Sequence, residues 1–267
     1  MKLPLGTPPV ITYQCNICGT KNTLPTLDFY RELALCTYCG SNSRFRGLIY
    51  ILAEFIGEDT GRPLQYWKIQ KNISGLGMSD WSGYAEKLAI FFEYTNTFYD
   101  KSPMFDIQNV DKRHHNKYDF VICSDVFEHI VQPVQNGFDN LFKILKPNGR
   151  LIFSVPYTRT IRTLEHYPKL HEFKIIDFYG KNVLINRTKS GDYSIHDKLV
   201  FHGGTGCTLE MRLFCEKDII CYLENAGFRK IKIHDKPDID VGFYWPQLYQ
   251  ENRSDPLLYA YIISANK

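Results

Sequence analysis

Residues 118 to 155 constrain the fold more than any other part of the chain. Tyr118-Asp-Phe-Val-Ile-Cys123 is a near-continuous apolar run, the pattern of a parallel strand covered on both faces. Pro133 sits well in the first turn of a helix. The apolar positions that follow it, Val134, Phe138, Leu141, Phe142 and Leu145, fall on one helical stripe. Lys146-Pro-Asn-Gly149 is a turn that ends the helix, and Arg150 to Val155 reads as the next buried strand. Strand, helix and strand in this order require a right-handed crossover and a parallel sheet.

The flanking segments extend that sheet. Tyr66 to Ile73 is predicted as the first strand, ending in the loop Ser74-Gly75-Leu76-Gly77-Met78-Ser79-Asp80. Trp81 to Ala89 follows as helix, Ile90 to Tyr94 as a second strand and Met104 to Val110 as a third. Near the C-terminus, Cys215 to Ala226 reads as helix with Gly227 as its C-cap. Phe228 to His234 and Leu257 to Ser264 are two more strands, paired as a hairpin-like edge. A chain of 267 residues accommodates one large α/β domain with a small appendage.

That appendage lies in residues 1–47. Cys15-Asn-Ile-Cys18-Gly19 and Cys36-Thr-Tyr-Cys39-Gly40 are two Cys-x-x-Cys knuckles separated by seventeen residues. Two such knuckles turn four thiolates toward one point, the spacing of a tetrahedral structural Zn²⁺ site; disulfides or a lone redox pair are the alternatives. The glycine after each second cysteine lets the backbone turn under the metal and aim amides at the sulfurs. A module this short buries little apolar area, so the metal supplies most of its folding energy. Its expected role is docking or stabilisation, because Arg44 and Arg46 alone are a thin phosphate-binding face. Cys123, Cys207, Cys215 and Cys221 lack this spacing and read as core thiols.

A net charge of +3 argues against a polyanionic partner, and Lys112-Arg-His-His-Asn-Lys117 reads as a solvated loop. No apolar run is long enough to span a membrane, and Met1 to Val10 lacks the pattern of a signal peptide. With eight cysteines, four of them clustered as metal ligands, a reducing cytoplasm is the expected location.

The stretch from Tyr118 to His129, with Leu141-Phe-Lys-Ile-Leu-Lys-Pro-Asn-Gly-Arg-Leu-Ile-Phe-Ser-Val-Pro156, closely resembles the class I S-adenosylmethionine-dependent methyltransferases of the type 11 kind. In that family an "FD-apolar-apolar-apolar" strand ends at the cofactor and an "lxPGGxl" turn leads to the next strand. The resemblance implies an α/β, Rossmann-like sheet over residues 48–267, with the cofactor outside the carboxyl ends of its strands. It implies that the Gly75–Gly77 loop and the following helix N-terminus hold the methionine carboxylate. By the same resemblance Glu93 accepts the ribose hydroxyls, Asp106 and Ile107 contact the adenine, and Ser124, Asp125 and Phe127 lie beside the sulfonium. The chain departs from the family where an acid and three spaced glycines are usual. Ser79 stands at the third glycine position, Lys71 and Asn72 where the acid is expected, and Ser79 and Asp80 are the substitutes.

Methyl transfer from a sulfonium is an in-line displacement that needs alignment, exclusion of water and often one proton removed. His129, directly after the fourth strand, is the first candidate base. The long segment 157–214 reads as a lid-like insertion that binds substrate. It contributes His202, beside Gly203-Gly204-x-Gly206, and His166 as further candidates. Asp240 to Trp245 reads as a packing segment, with an aromatic wall of the site as the alternative. The expected activity is O- or N-methylation of a small polar metabolite, with no signal for oligomeric state. The alternatives are a zinc-bearing RNA methyltransferase, which predicts a continuous basic face, and a non-catalytic binding module that kept the fold.

Overall fold

The structure, a computed structural model, describes residues 9–202, 208–244 and 258–267, with the side chain of His202 outside the description. The glycine loop at 203–206, Cys207, Trp245 and the start of the last expected strand at Leu257 therefore lie outside the described residues.

The chain opens with the hairpin β1 (Val10–Gln14) and β2 (Lys21–Pro25), then helix α1 (Ser43–Ile56). Next come β3 (Ser74–Met78), α2 (Ser82–Phe91), β4 (Glu93–Thr97), β5 (Tyr118–Ser124), α3 (Val134–Ile144) and β6 (Leu145–Ser154). An insertion carries β7 (Tyr157–Thr158), β8 (Leu164–Glu165), β9 (Glu172–Phe178), β10 (Lys181–Arg187), β11 (Tyr193–His196), β12 (Phe201–His202), β13 (Thr208–Leu209) and β14 (Arg212–Cys215). Helix α4 (Glu216–Ala226), β15 (Arg229–His234) and β16 (Ile262–Asn266) complete it.

The main sheet has the order β15-β16-β6-β5-β3-β4. Strands β4, β3, β5 and β6 are parallel, and β16 runs antiparallel between β6 and β15. This is the Rossmann-like sheet expected from the sequence. One apolar layer joins α1 and α2 to Phe120, Ile122 and Ile152 on one face. The other joins α3 and α4 to Val121, Cys123, Leu151 and Phe153 on the opposite face, so alternate residues of β5 serve opposite layers. No helix among the described residues is long and apolar enough to cross a membrane.

Several expected elements are corrected. The first strand is Ser74–Met78 rather than Tyr66 to Ile73, so Gly75 and Gly77 lie inside it and not in a loop. Both are glycine for lack of room: a Cβ at Gly75 would strike the Phe120 ring, and one at Gly77 the Tyr94 hydroxyl and the Asp80 carboxyl. The second strand moves correspondingly to Glu93–Thr97. The expected third strand, Met104 to Val110, is reduced to one parallel bridge, Phe98 to Met104. Asp106 ends it, because its carboxylate accepts the Gln108 amide at 2.8 Å and turns the chain away from the ladder. The Lys146–Gly149 turn is a bulge within β6, where the register steps from Tyr118–Leu145 to Phe120–Arg150. Helix α4 and its left-handed cap Gly227 stand as expected.

The boundary expected at residue 47 falls inside α1. Asn42 caps that helix by accepting the Phe45 amide at 2.8 Å. Cys15, Ile17, Cys18 and Cys36 are buried in the same apolar cluster as α1, α2 and the sheet. The cysteine module thus shares its core with the body.

Candidate active site

The two knuckles are built alike. The Gly19 amide donates to Cys15 O at 2.7 Å and the Gly40 amide to Cys36 O at 2.9 Å, with both glycines left-handed at φ 82° and 75°. The four sulfurs lie within 4.8 Å of one another. Cys15 Sγ is 3.7 Å from Cys39 Sγ, and Cys18 Sγ is 3.5 Å from Cys36 Sγ. A tetrahedral ion at a Zn–S distance of about 2.3 Å places its ligands about 3.8 Å apart, so the sulfurs fit such an ion and are too far apart for disulfides. Ser41 Oγ lies 3.3 Å from the sulfurs of both Cys15 and Cys39, and Asn22 Nδ2 donates to Cys36 Sγ at 3.5 Å. These contacts orient and charge-stabilise thiolates.

A cleft of about 290 Å³ opens where β3 and β5 end, lined by Arg44, Phe45, Ser79, Asp80, Trp81, Tyr84, Ser124, Asp125, His129 and Thr208. The chain leaves β3 toward β4 and returns to β5 on the other side, so this is the switch point of the sheet. Ser79 turns the chain with φ 59°, and its amide donates to Thr97 O. Asn96 holds the next residue from both sides, accepting the Asp80 amide and donating to the Asp80 carbonyl. The Asp80 side chain folds back over Gly77, where Tyr94 donates to Oδ2. Its Oδ1 is buried and makes no hydrogen bond among the described residues. Burial pushes this carboxyl up to about 7, although Tyr94, Tyr84 and Arg44 each favour its ionised form. Phe45 and Trp81 stack beside it, centroids 4.9 Å apart.

The opposite wall is a network of charges. Arg31 forks onto Asp125 at 2.7 and 2.5 Å and donates to Ser154 Oγ at 3.0 Å. Arg44 donates to Ser124 Oγ at 2.8 Å and forks onto Glu32 at 2.7 and 2.8 Å. Burial works against the Arg44 charge, but the Asp125 and Glu32 carboxylates outweigh it and hold the guanidinium above its usual value. Arg46, the other arginine after the second knuckle, is fully buried and donates to the carbonyls of Ala34, Ser41 and Gly242. It ties the module together and offers nothing to a ligand.

His129 faces this cleft. Its Nδ1 lies 2.9 Å from Leu209 O, a contact that places the neutral ring's proton on Nδ1 and leaves Nε2 as the basic nitrogen. Of the other residues singled out in the sequence, Ser79, Asp80, Ser124 and Asp125 line the same cleft. Gly75 and Gly77 support it from within β3. Glu93 is not brought to it: it pairs with Ser74 at the opposite, amino-terminal end of the strands. Asp106 holds its own turn, and Ile107 and Phe127 are buried in the core beneath. His166 bonds Glu210 Oε1 at 3.0 Å within the insertion. Phe243 packs on α1, the reading preferred for its segment, with its ring where a Cβ on Gly47 would stand. Reading the sequence missed Arg31, Glu32, Phe45, Trp81 and Tyr84. Their signal was faint: polar and aromatic residues flanking the second knuckle and the first helix of the sheet.

Residues 71–196, just under half of the chain, match a family described as "Methyltransferase domain". Over 47 residues the chain is 38% identical to the probable polyketide synthase 10 of Dictyostelium discoideum; the match covers 18% of this chain and 2% of that protein. Among solved structures, an S-adenosylmethionine-dependent methyltransferase from Clostridium acetobutylicum is 14% identical, covering 82% of this chain and 90% of that one, with a TM-score of 0.42. The 1,6-didemethyltoxoflavin-N1-methyltransferase of Burkholderia thailandensis is 12% identical, covering 82% and 76%, with a TM-score of 0.43.

Proposed function

We propose, for a chain that is a methyltransferase by the domain at residues 71–196, that its donor is S-adenosylmethionine and its acceptor an oxygen or nitrogen of a small polar metabolite. The observation that carries the reading is the buried Asp80 carboxyl, with one oxygen lacking a hydrogen bond, at the switch-point cleft. A buried carboxylate of this kind is completed by a cationic ligand group. Asp80 would take the donor's ammonium, the Ser79 turn its carboxylate, and Phe45 with Trp81 an apolar flank. When bound, the donor supplies an activated methyl group on sulfur. His129 Nε2, 3.8 Å from the Glu128 carboxylate, would remove the acceptor's proton, with the Leu209 carbonyl fixing the ring. The four thiolates hold a structural Zn²⁺, and cytoplasmic residence follows from reduced cysteines in that role.

Nucleic acid is not the favoured acceptor. Arg44 at the cleft and Arg31 behind it are each paired with carboxylates, which leaves no surplus of positive charge there.

Calorimetric titration of S-adenosylhomocysteine into zinc-replete protein tests the donor site. Micromolar binding is expected, weakened at least about tenfold by Asp80→Asn through loss of one charge-assisted contact. Absence of binding to the wild-type chain would overturn the donor assignment and leave the binding-module alternative standing.

A further inference from the structure

We infer that Arg31 is a positioning residue for the cleft, the side chain through which the cysteine module sets the backbone at the end of β5. The inference rests on the donor-binding reading of that cleft. Arg31 does not line the cleft; Asp125 does. The guanidinium lies behind Asp125 and grips both carboxylate oxygens, with the two side chains only 13% and 12% exposed. A fork of this kind fixes orientation as well as distance.

What it holds is a turn. Asp125 has a φ of 56°, a left-handed conformation uncommon outside glycine, though aspartate adopts it more readily than most residues. Its amide donates to Ser154 O at 2.8 Å, while Arg31 bonds Ser154 Oγ from the other side. Ser154 Oγ lies 2.8 Å from Ser124 Oγ, which accepts from Arg44. Glu32 closes the circuit, accepting from Arg31 at 2.6 Å, from Arg44 at 2.7 Å and from the helix-capping Asn42 at 2.7 Å. Every member from the N-terminal side lies between the first knuckle and the first turn of α1. The module therefore reaches the cleft through two arginines and one glutamate.

The charges decide what this circuit does. Arg31 and Arg44 are matched by Glu32 and Asp125, so the group as a whole has no net charge to recruit an anion. Its product is geometry: a fixed Ser124–Asp125 turn facing the cleft. An intact module is then a condition for donor binding even though Arg31 touches no ligand.

The test compares wild type, Arg31→Met, Asp125→Asn and the double variant, each with its metal content measured. In Arg31→Met, exchange of the Asp125 amide is expected to speed at least about tenfold and S-adenosylhomocysteine affinity to fall at least about tenfold, with metal retained. The double variant should bind little more weakly than the weaker single variant, since both break the same Arg31–Asp125 fork. Unchanged amide exchange in Arg31→Met overturns the inference, whatever the ligand result. Wild-type binding matched by Arg31→Met overturns it too, whereas no binding by wild type sinks the donor reading and leaves the exchange measurement to decide this one. If Arg31→Met loses its metal, Arg31→Lys decides. That variant keeps the charge without the fork, so faster exchange with metal bound supports the inference and a wild-type rate overturns it.

Discussion

The cysteine module and the 157–214 insertion both flank the carboxyl end of the sheet, yet they are joined to it in opposite ways. The module has no core of its own: Cys15, Ile17, Cys18 and Cys36 are buried with Leu48, Leu52, Leu88 and Phe120 in one cluster. The insertion's ends, Tyr157 and Phe214, are buried in the layer of α3 and α4, but its middle packs around a separate small cluster of Tyr167, Leu184, Leu209 and Met211. Its sheet β11-β10-β9 buries Leu184 and Asn186 on one face and leaves Phe178, Tyr193 and Ile195 exposed on the other. The cleft follows the same division. Arg44 and Phe45 come to it from the end of the module, while among the described residues the insertion lends it Thr208 alone. A short segment welded into the core can position a site more firmly than a long one with a core apart.

The largest expected effect is on the welded side. Removing the proposed zinc with a chelator should lower the unfolding midpoint by roughly 10 °C or more, because structural zinc sites contribute on the order of 10 kcal/mol. Since the sulfurs sit in the shared cluster, the main sheet should melt in the same transition, followed by circular dichroism and calorimetry. Two separate transitions, the module first and the sheet unmoved, would break the comparison.

Next comes the cleft itself. Asp80 is buried with its carboxyl raised from 3.8 to about 7. Below the unfolded value both states hold the proton. As pH rises through the window from about 4 to about 7, the unfolded chain releases a proton that the folded chain keeps. Stability therefore falls with pH, on the order of 1 kcal/mol per pH unit across that window. Asp80→Asn should remove this slope, so that its stability relative to wild type grows from pH 4 to pH 7 in urea titrations. Parallel profiles would mean that the cleft carries no such strained carboxyl.

How much of this was legible in the sequence divides along physical lines. Strand β5, helix α3, α4 with Gly227 and the two knuckles were readable, because apolar periodicity, capping and ligand spacing are local signals. The register of β3 was not. Two glycines in five residues imitate a loop, and only the rings of Phe120 and Tyr94 arriving from neighbouring strands show why a strand needs them. That shift carried Glu93 to the wrong end of its strand and hid the fold-back of Asp80. The expected third strand failed for a similar reason, since Asp106 turns the chain with its own side chain. Arg31 was invisible: its partner Asp125 lies 94 residues away, and nothing in either neighbourhood announces the pair.

The smallest expected effect sharpens the other half of the comparison. Leu184 is fully buried at the centre of the insertion's cluster. Truncating it to alanine should cost about 2–3 kcal/mol, as for other buried leucines. Because that cluster is separate from the two that cover the main sheet, the cost should appear as local opening rather than as global loss of structure. Amide exchange in β9, β10 and β11 should then quicken while β3, β5 and β6 stay protected, and S-adenosylhomocysteine affinity should change less than about twofold. The contact to watch is His129 Nδ1 with Leu209 O, because Leu209 belongs to the same cluster and through it the insertion grips the candidate base. If Leu184→Ala left donor affinity intact but slowed methyl transfer, the insertion would be wired to the chemistry through that carbonyl. Uniform loss of protection across the main sheet would instead show that the insertion is as firmly welded as the module, and the contrast between them would fail.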